Sequence, residues 1–95
     1  MTDLIHVAAF YHFAALDAPD EKRAALIAAC RRLNVRGTVL LAPEGVNGTI
    51  AGDRAAVAEI LETIRGFAGF GDLEWKDSQA ETMPFNRLKV RLDTM

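Results

Sequence analysis

The sequence is poor in the residues on which small proteins often hang their chemistry. It holds one cysteine, Cys30, so no intramolecular disulfide and no cysteine metal cluster can form. A lone thiol fits a reducing compartment. Three prolines and seven glycines are too few for a collagen-like or low-complexity chain. No apolar run approaches the roughly 18 residues that signal a membrane span. The opening Met1-Thr2-Asp3-Leu4-Ile5-His6 lacks a basic stretch followed by an apolar one, so no secretory signal is expected and the cytoplasm is the expected address. Charge of one sign is also missing: 11 Lys and Arg face 13 Asp and Glu, a formal net charge of -2. Any contact with nucleic acid must therefore come from a local basic patch and not from a global field.

What is present describes one ordinary globular domain over residues 1–95, with 51% hydrophobic and 25% charged residues. At that length a core can form without staples. Ile5, Val7, Ala9, Tyr11 and Phe13 alternate with His6, Ala8, Phe10 and His12, which predicts a strand over about residues 4–13, apolar on one face and mixed on the other. Asp17, Pro19, Asp20 and Glu21 mark a helix start; Leu26, Ile27, Cys30 and Leu33 form its stripe, and Asn34 its stop. Residues 37–42 predict a second strand. Pro43-Glu44-Gly45 and Asn47-Gly48 are turn signals, and residues 49–51 resume as a strand to close a hairpin. Gly52-Asp53 opens a second helix striped by Val57, Ile60, Leu61 and Ile64 and ended by Gly66, with Phe67 and Phe70 packing back over the stop. Strands over 73–76 and 88–92 complete the pattern, with Met83-Pro84-Phe85 interrupting between them.

The order β-α-β-β-α-β-β predicts a ferredoxin-like α+β sandwich with an extra strand: an antiparallel sheet, two helices on one face, and the other face open. The chain stops directly after a strand, as a segment of a longer protein would.

Few residues suggest catalysis. Cys30 lies on the apolar stripe of the first helix, where a small buried thiol is expected and a nucleophile is not. His6 and His12 are six residues apart on one strand, roughly 20 Å by strand rise, too far to share a metal. A solvated or hydrogen-bonded role is expected for both. No P-loop, no G-x-S-x-G and no paired zinc ligands occur. The topology is that of the acylphosphatases, which hold phosphate with a glycine-rich loop after the first strand ending in an arginine. Here Phe13-Ala14-Ala15-Leu16-Asp17-Ala18-Pro19 has neither residue, and Asp53 is expected to cap the second helix where an anion would otherwise sit. Acyl phosphate hydrolysis is therefore not expected. The last strand offers something else. If Leu88, Val90 and Leu92 face the core, Arg87, Lys89 and Arg91 project together from the other side. With Lys76 and the ring of Phe10, these cations suit single-stranded RNA, although the same pattern arises on any solvated strand face. An RRM would place aromatics on the third strand, and residues 48–52 contain none.

The stretch Gly37-Thr-Val-Leu-Leu-Ala-Pro-Glu-Gly-Val-Asn-Gly-Thr-Ile-Ala-Gly52 resembles the signature of the rhodanese-related tRNA uridine hydroxylases. Val7–Tyr11 resembles their opening strand. Asp72–Lys76 with Ser78 and Ala80, Pro84-Phe85 and Arg87–Arg91 resemble the end of their N-terminal, acylphosphatase-like domain. The resemblance implies a parent enzyme that hydroxylates the wobble uridine of tRNA in an oxygen-dependent reaction. It also implies a rhodanese domain downstream, absent from this chain, that carries the essential cysteine. No residue here matches that loop, so no catalytic residue, metal or cofactor is assigned. The expected duty is accessory: weak, salt-dependent tRNA binding through Lys76, Arg87, Lys89 and Arg91, with Phe10 stacking and with Glu44 and Asn47 presented by the hairpin. That hairpin equally serves to set the register of the sheet. The alternative is a structural module that docks the rhodanese domain or dimerises through a sheet edge.

Overall fold

A computed structural model describes residues 4–92; Met1–Asp3 and Asp93–Met95 lie outside the described residues. The elements are β1 (Ile5–Phe13), α1 (Pro19–Arg32), β2 (Arg36–Ala42), β3 (Gly45–Gly52), α2 (Arg54–Arg65), β4 (Glu74–Ala80) and β5 (Leu88–Leu92). Both helices pack on one face of a five-stranded sheet in the order β4-β1-β3-β2-β5. The ferredoxin-like plan holds. The extra strand departs from an all-antiparallel sheet, because β5 runs parallel to β2 and makes the sheet mixed.

Pro19 opens α1 with its fixed φ, and Asp20 and Glu21 meet the positive end of the helix dipole. The stop is a paired one. Asn34 takes the left-handed conformation (φ 57°), its N–H donates to the Arg31 carbonyl, and the Val35 N–H donates to the Cys30 carbonyl at 2.8 Å. This is the Schellman arrangement, and its accompanying apolar contact is available because Cys30 and Val35 are both buried. In α2 the residues Val57, Ile60, Leu61 and Ile64 are all buried. Phe70 packs back beneath its end, edge-to-face with Phe67 at 6.3 Å between ring centres. Asp53 does stand at the N-cap, yet its side chain makes no capping hydrogen bond, so the expected carboxylate cap is absent.

The hairpin also differs from its reading in the sequence. Ala42 pairs with Gly45, so Pro43 and Glu44 alone make the turn, and β3 is already under way at Asn47-Gly48. Gly48 is there for close approach and not for a turn. In the row Trp75–Phe10–Gly48–Val39–Val90, it lies between a ring and a neighbouring strand; a Cβ on it would sit 2.5 Å from the Thr38 carbonyl oxygen and 3.2 Å from Phe10 Cζ. β4 runs longer than the expected 73–76, because pairing with β1 continues to Ala80 through polar residues that sequence periodicity does not flag.

Candidate functional site

The register sorts every strand residue onto one face. Toward the helices point Phe10, Gly48, Val39 and Val90, and in the next row Ala8, Ile50, Gly37 and Leu88. Phe10 is 4% exposed and belongs to the core. Its expected role as an exposed stacking ring is therefore wrong. The cause lies in β1 itself: its mixed row (His6, Ala8, Phe10, His12) faces the helices, and its more apolar row faces away from them. The two histidines sit at the ends of that row, His6 Nε2 within 2.8 Å of Asp77 Oδ1 and His12 Nε2 at 3.1 Å from the Gly69 carbonyl. Both are hydrogen-bonded, as expected. His12 also packs its ring on Phe70.

The helix-free face carries Tyr11, 67% exposed, and Phe13, 76% exposed, edge-to-face at 5.7 Å between ring centres. One row across the sheet reads Glu74–Tyr11–Asn47–Leu40–Arg91. The next reads Lys76–Ala9–Thr49–Thr38–Lys89. Four of the expected site residues are thus brought together on one face: Asn47, Lys76, Lys89 and Arg91. Arg36 joins them as the residue of β2 paired with Ala51. Arg87 precedes β5, exposed, with its carbonyl taking the Gly37 N–H. Glu44 stands exposed at the turn, while Asn47 lies in the strand and not at the hairpin tip.

This face is electrically divided. Glu44, Asp72 and Glu74 border the shallow depression that holds the two rings. Lys76 lines the same depression, Lys89, Arg91 and Arg36 lie across the sheet from it, and none of the four makes an ion pair among the described residues. Three other cations are paired: Lys22 with Asp17 at 2.8 Å, Arg32 with Glu59 at 2.7 Å and Arg65 with Glu62 at 2.8 Å. The hydrogen bond and charge of Lys22 hold the Asp17 carboxyl below its ordinary value. Tyr11, Phe13 and Arg36 were missed in the sequence. Tyr11 and Phe13 carried a signal there, since both stand in the same alternating row as Ile5 and Val7.

Burial pushes the Cys30 thiol up to about 11, so the thiolate needed for nucleophilic attack is scarce at neutral pH. Among the described residues no three His, Cys, Asp or Glu side chains gather as a metal site. No described helix is long and apolar enough to cross a membrane. The connection from β1 to α1 is also occupied: the N–H groups of Ala14 and Leu16 donate to the carbonyls of Glu44 and Pro43, each at 3.0 Å. A phosphate could not take those two donors without releasing the turn.

Comparison with known proteins bears on this arrangement. The profile of the UPF0176 acylphosphatase-like domain matches residues 5–94. The chain belongs to that family. A protein named tRNA uridine(34) hydroxylase from Jannaschia sp. (strain CCS1) is 53% identical over 88 residues, covering 93% of this chain and 29% of the relative. One of the same name from Mesorhizobium japonicum is 50% identical over 88 residues, covering 93% of this chain and 28% of the relative. The chain therefore spans less than a third of the length of these relatives. Among solved structures, BlrB, a BLUF protein in its dark state, is similar with a TM-score of 0.73 at 18% identity, over 97% of this chain and 74% of that one. Acylphosphatase from Bacillus subtilis is similar with a TM-score of 0.63 at 11% identity, over 97% of this chain and 100% of that one. At such identities the likeness establishes the fold alone. The UPF0176 domain shares the acylphosphatase plan, while its first connection spends two of its amides on its own hairpin.

Proposed function

We propose that this UPF0176 domain is the non-catalytic, tRNA-holding part of a tRNA uridine hydroxylase, whose oxidative chemistry resides in a rhodanese domain beyond this segment. The observation that carries the reading is the register: two exposed rings and a set of unpaired cations share the one sheet face that no helix covers. Rings stack unpaired bases and cations meet phosphates, the combination single-stranded RNA binding needs. Tyr11 and Phe13 take the stacking role, Asn47 offers an amide beside Tyr11, and Lys76, Arg87, Lys89 and Arg91 contact phosphates. Glu44, Glu74 and Asp72 repel phosphates from the ring end, so the backbone runs along the Lys76 and Lys89 row while bases reach toward Tyr11.

The competing reading, a face that docks the rhodanese domain or a second copy, draws support from the same exposed rings together with Leu40 and Ala9. The test separates the two. Titration of labelled tRNA with the full chain across a salt series is compared with the triple variant Lys76→Ala, Lys89→Ala, Arg91→Ala. Loss of three phosphate contacts is expected to flatten the slope of log affinity against log salt by about 2, at roughly 0.7 per contact on single strands. An unchanged slope and affinity would favour docking.

A further inference from the structure

A second grouping of cations lies at the β5 edge of the sheet, where α1 adds two arginines to Lys89 and Arg91. Arg23, Ile27 and Arg31 on α1 and Leu88, Lys89, Val90 and Arg91 on β5 line a cleft at the edge of the sheet. No carboxylate is among those lining residues. In a chain of formal charge -2, four cations are gathered here, and none makes an ion pair among the described residues. Arg23 is fixed in place: its Nε donates to the Val90 carbonyl at 2.7 Å, which leaves the two terminal nitrogens of the guanidinium available. That bond has a structural use, since it satisfies a carbonyl of an edge strand. It also pre-orients a planar fork suited to a phosphate. Ile27 and Leu88 give the cleft an apolar floor, which lowers the local dielectric beneath the charges.

We infer that this cleft between α1 and β5 is a second phosphate track, taking the sugar-phosphate backbone of the same RNA whose bases reach the helix-free face. The inference rests on the tRNA-holding reading and gives the RNA a path. Lys89 and Arg91 belong to both surfaces, so a backbone crossing the edge at β5 passes from one to the other without leaving positive charge. The spacing argues for a polymer. Arg23 and Arg31 are eight residues apart on α1, about 12 Å along the axis, a span longer than one phosphate group. A repeating polyanion can meet both, each with its own phosphate.

Arg31→Glu is the variant of choice, because Arg31 is exposed and unpaired and its loss leaves the Arg23 bond in place. Arg54→Glu, equally exposed at the start of α2, makes the same change in net charge away from the cleft. Tyr11→Ala probes the helix-free face. Binding of labelled tRNA by the full chain is measured at two salt concentrations, with thermal melting to confirm folding. Arg31→Glu is expected to weaken tRNA binding roughly three- to tenfold and to lower the salt slope by about 1, with Arg54→Glu close to unmodified protein. If Tyr11→Ala weakens binding while Arg31→Glu and Arg54→Glu behave alike, the cleft is not a track and the tRNA-holding reading stands. If none of the three changes binding, the reading falls and the track with it. A protein that ignores tRNA but binds polyglutamate through Arg31 would replace the RNA with an acidic polypeptide and overturn the inference.

Discussion

Replacing Tyr11 by alanine and Phe10 by leucine perturbs the two faces of β1 one at a time, at adjacent positions in the chain. Tyr11 is 67% exposed, so only about a third of its burial energy is at stake. Full burial of a large apolar side chain is worth about 1.5–3 kcal/mol, which sets the stability cost of Tyr11→Ala near 0.5–1 kcal/mol. In a domain of this size that lowers the melting temperature by about 2–8 °C. The stacking it removes is worth about 1–3 kcal/mol per base, or a five- to roughly 150-fold loss of tRNA affinity. Phe10→Leu works the other way. The ring is 4% exposed and packs against Gly48, so reshaping the core there costs about 1–2 kcal/mol, or about 4–16 °C, with tRNA affinity unchanged. Circular dichroism melts supply the first quantity and fluorescence anisotropy with labelled tRNA the second. Affinity within twofold of the unmodified protein for Tyr11→Ala, or an equal loss for folded Phe10→Leu, would refute the assignment of faces to roles.

Two further outcomes follow from the packing. Gly48→Ala would put its Cβ 2.5 Å from the Thr38 carbonyl oxygen and 2.9 Å from Val39 Cα, both backbone atoms that cannot swing aside, so a loss of about 1–3 kcal/mol is expected in urea unfolding; an unshifted midpoint would contradict the close approach. Cys30, with its thiol pushed up to about 11, holds roughly one thiolate in a thousand at pH 8 and should react with a disulfide reagent only after denaturation. Its pH dependence has a definite sign: the unfolded thiol loses its proton near 9.0 and the folded one near 11, so Cys30 favours the folded state below pH 9 and that contribution is lost as pH rises toward 11. A Cys30→Ala chain losing stability just as steeply over that window would refute the assignment.

The element order was legible because the helix stripes, the helix stops and the apolar strand runs carry local signals. Asn34 stops α1 in the left-handed conformation, Gly66 stops α2, and β5 occupies the expected residues 88–92. The faces of β1 were not legible. Both of its rows contain apolar side chains, and which one is core depends on where α1 and α2 settle. That decision is made by partners distant in sequence, Gly48 above all, whose missing side chain admits the Phe10 ring. Asn47-Gly48 misled for a related reason. The pair favours a turn locally, while Pro43-Glu44 already supplies one and the β1 pairing draws residues 45–52 into the sheet. In the candidate site, Lys89 and Arg91 were readable from strand alternation, while Lys76 was drawn in only as a neighbouring cation and its place in the sheet comes from the pairing of β4 with β1. The cleft between α1 and β5 was not readable, since it joins residues separated by more than fifty positions.

The two bonds from Ala14 and Leu16 to the hairpin carbonyls have a consequence for anyone wishing to remodel the domain. They make the first connection and the 43–44 turn a single mechanical unit, so a change in loop length at residues 14–18 would be transmitted to Glu44. The crossover from β4 to β5 is the contrasting case. With Glu81, Thr82, Pro84 and Asn86 exposed, it is where a reporter or an affinity handle can be inserted while the sheet keeps its alignment.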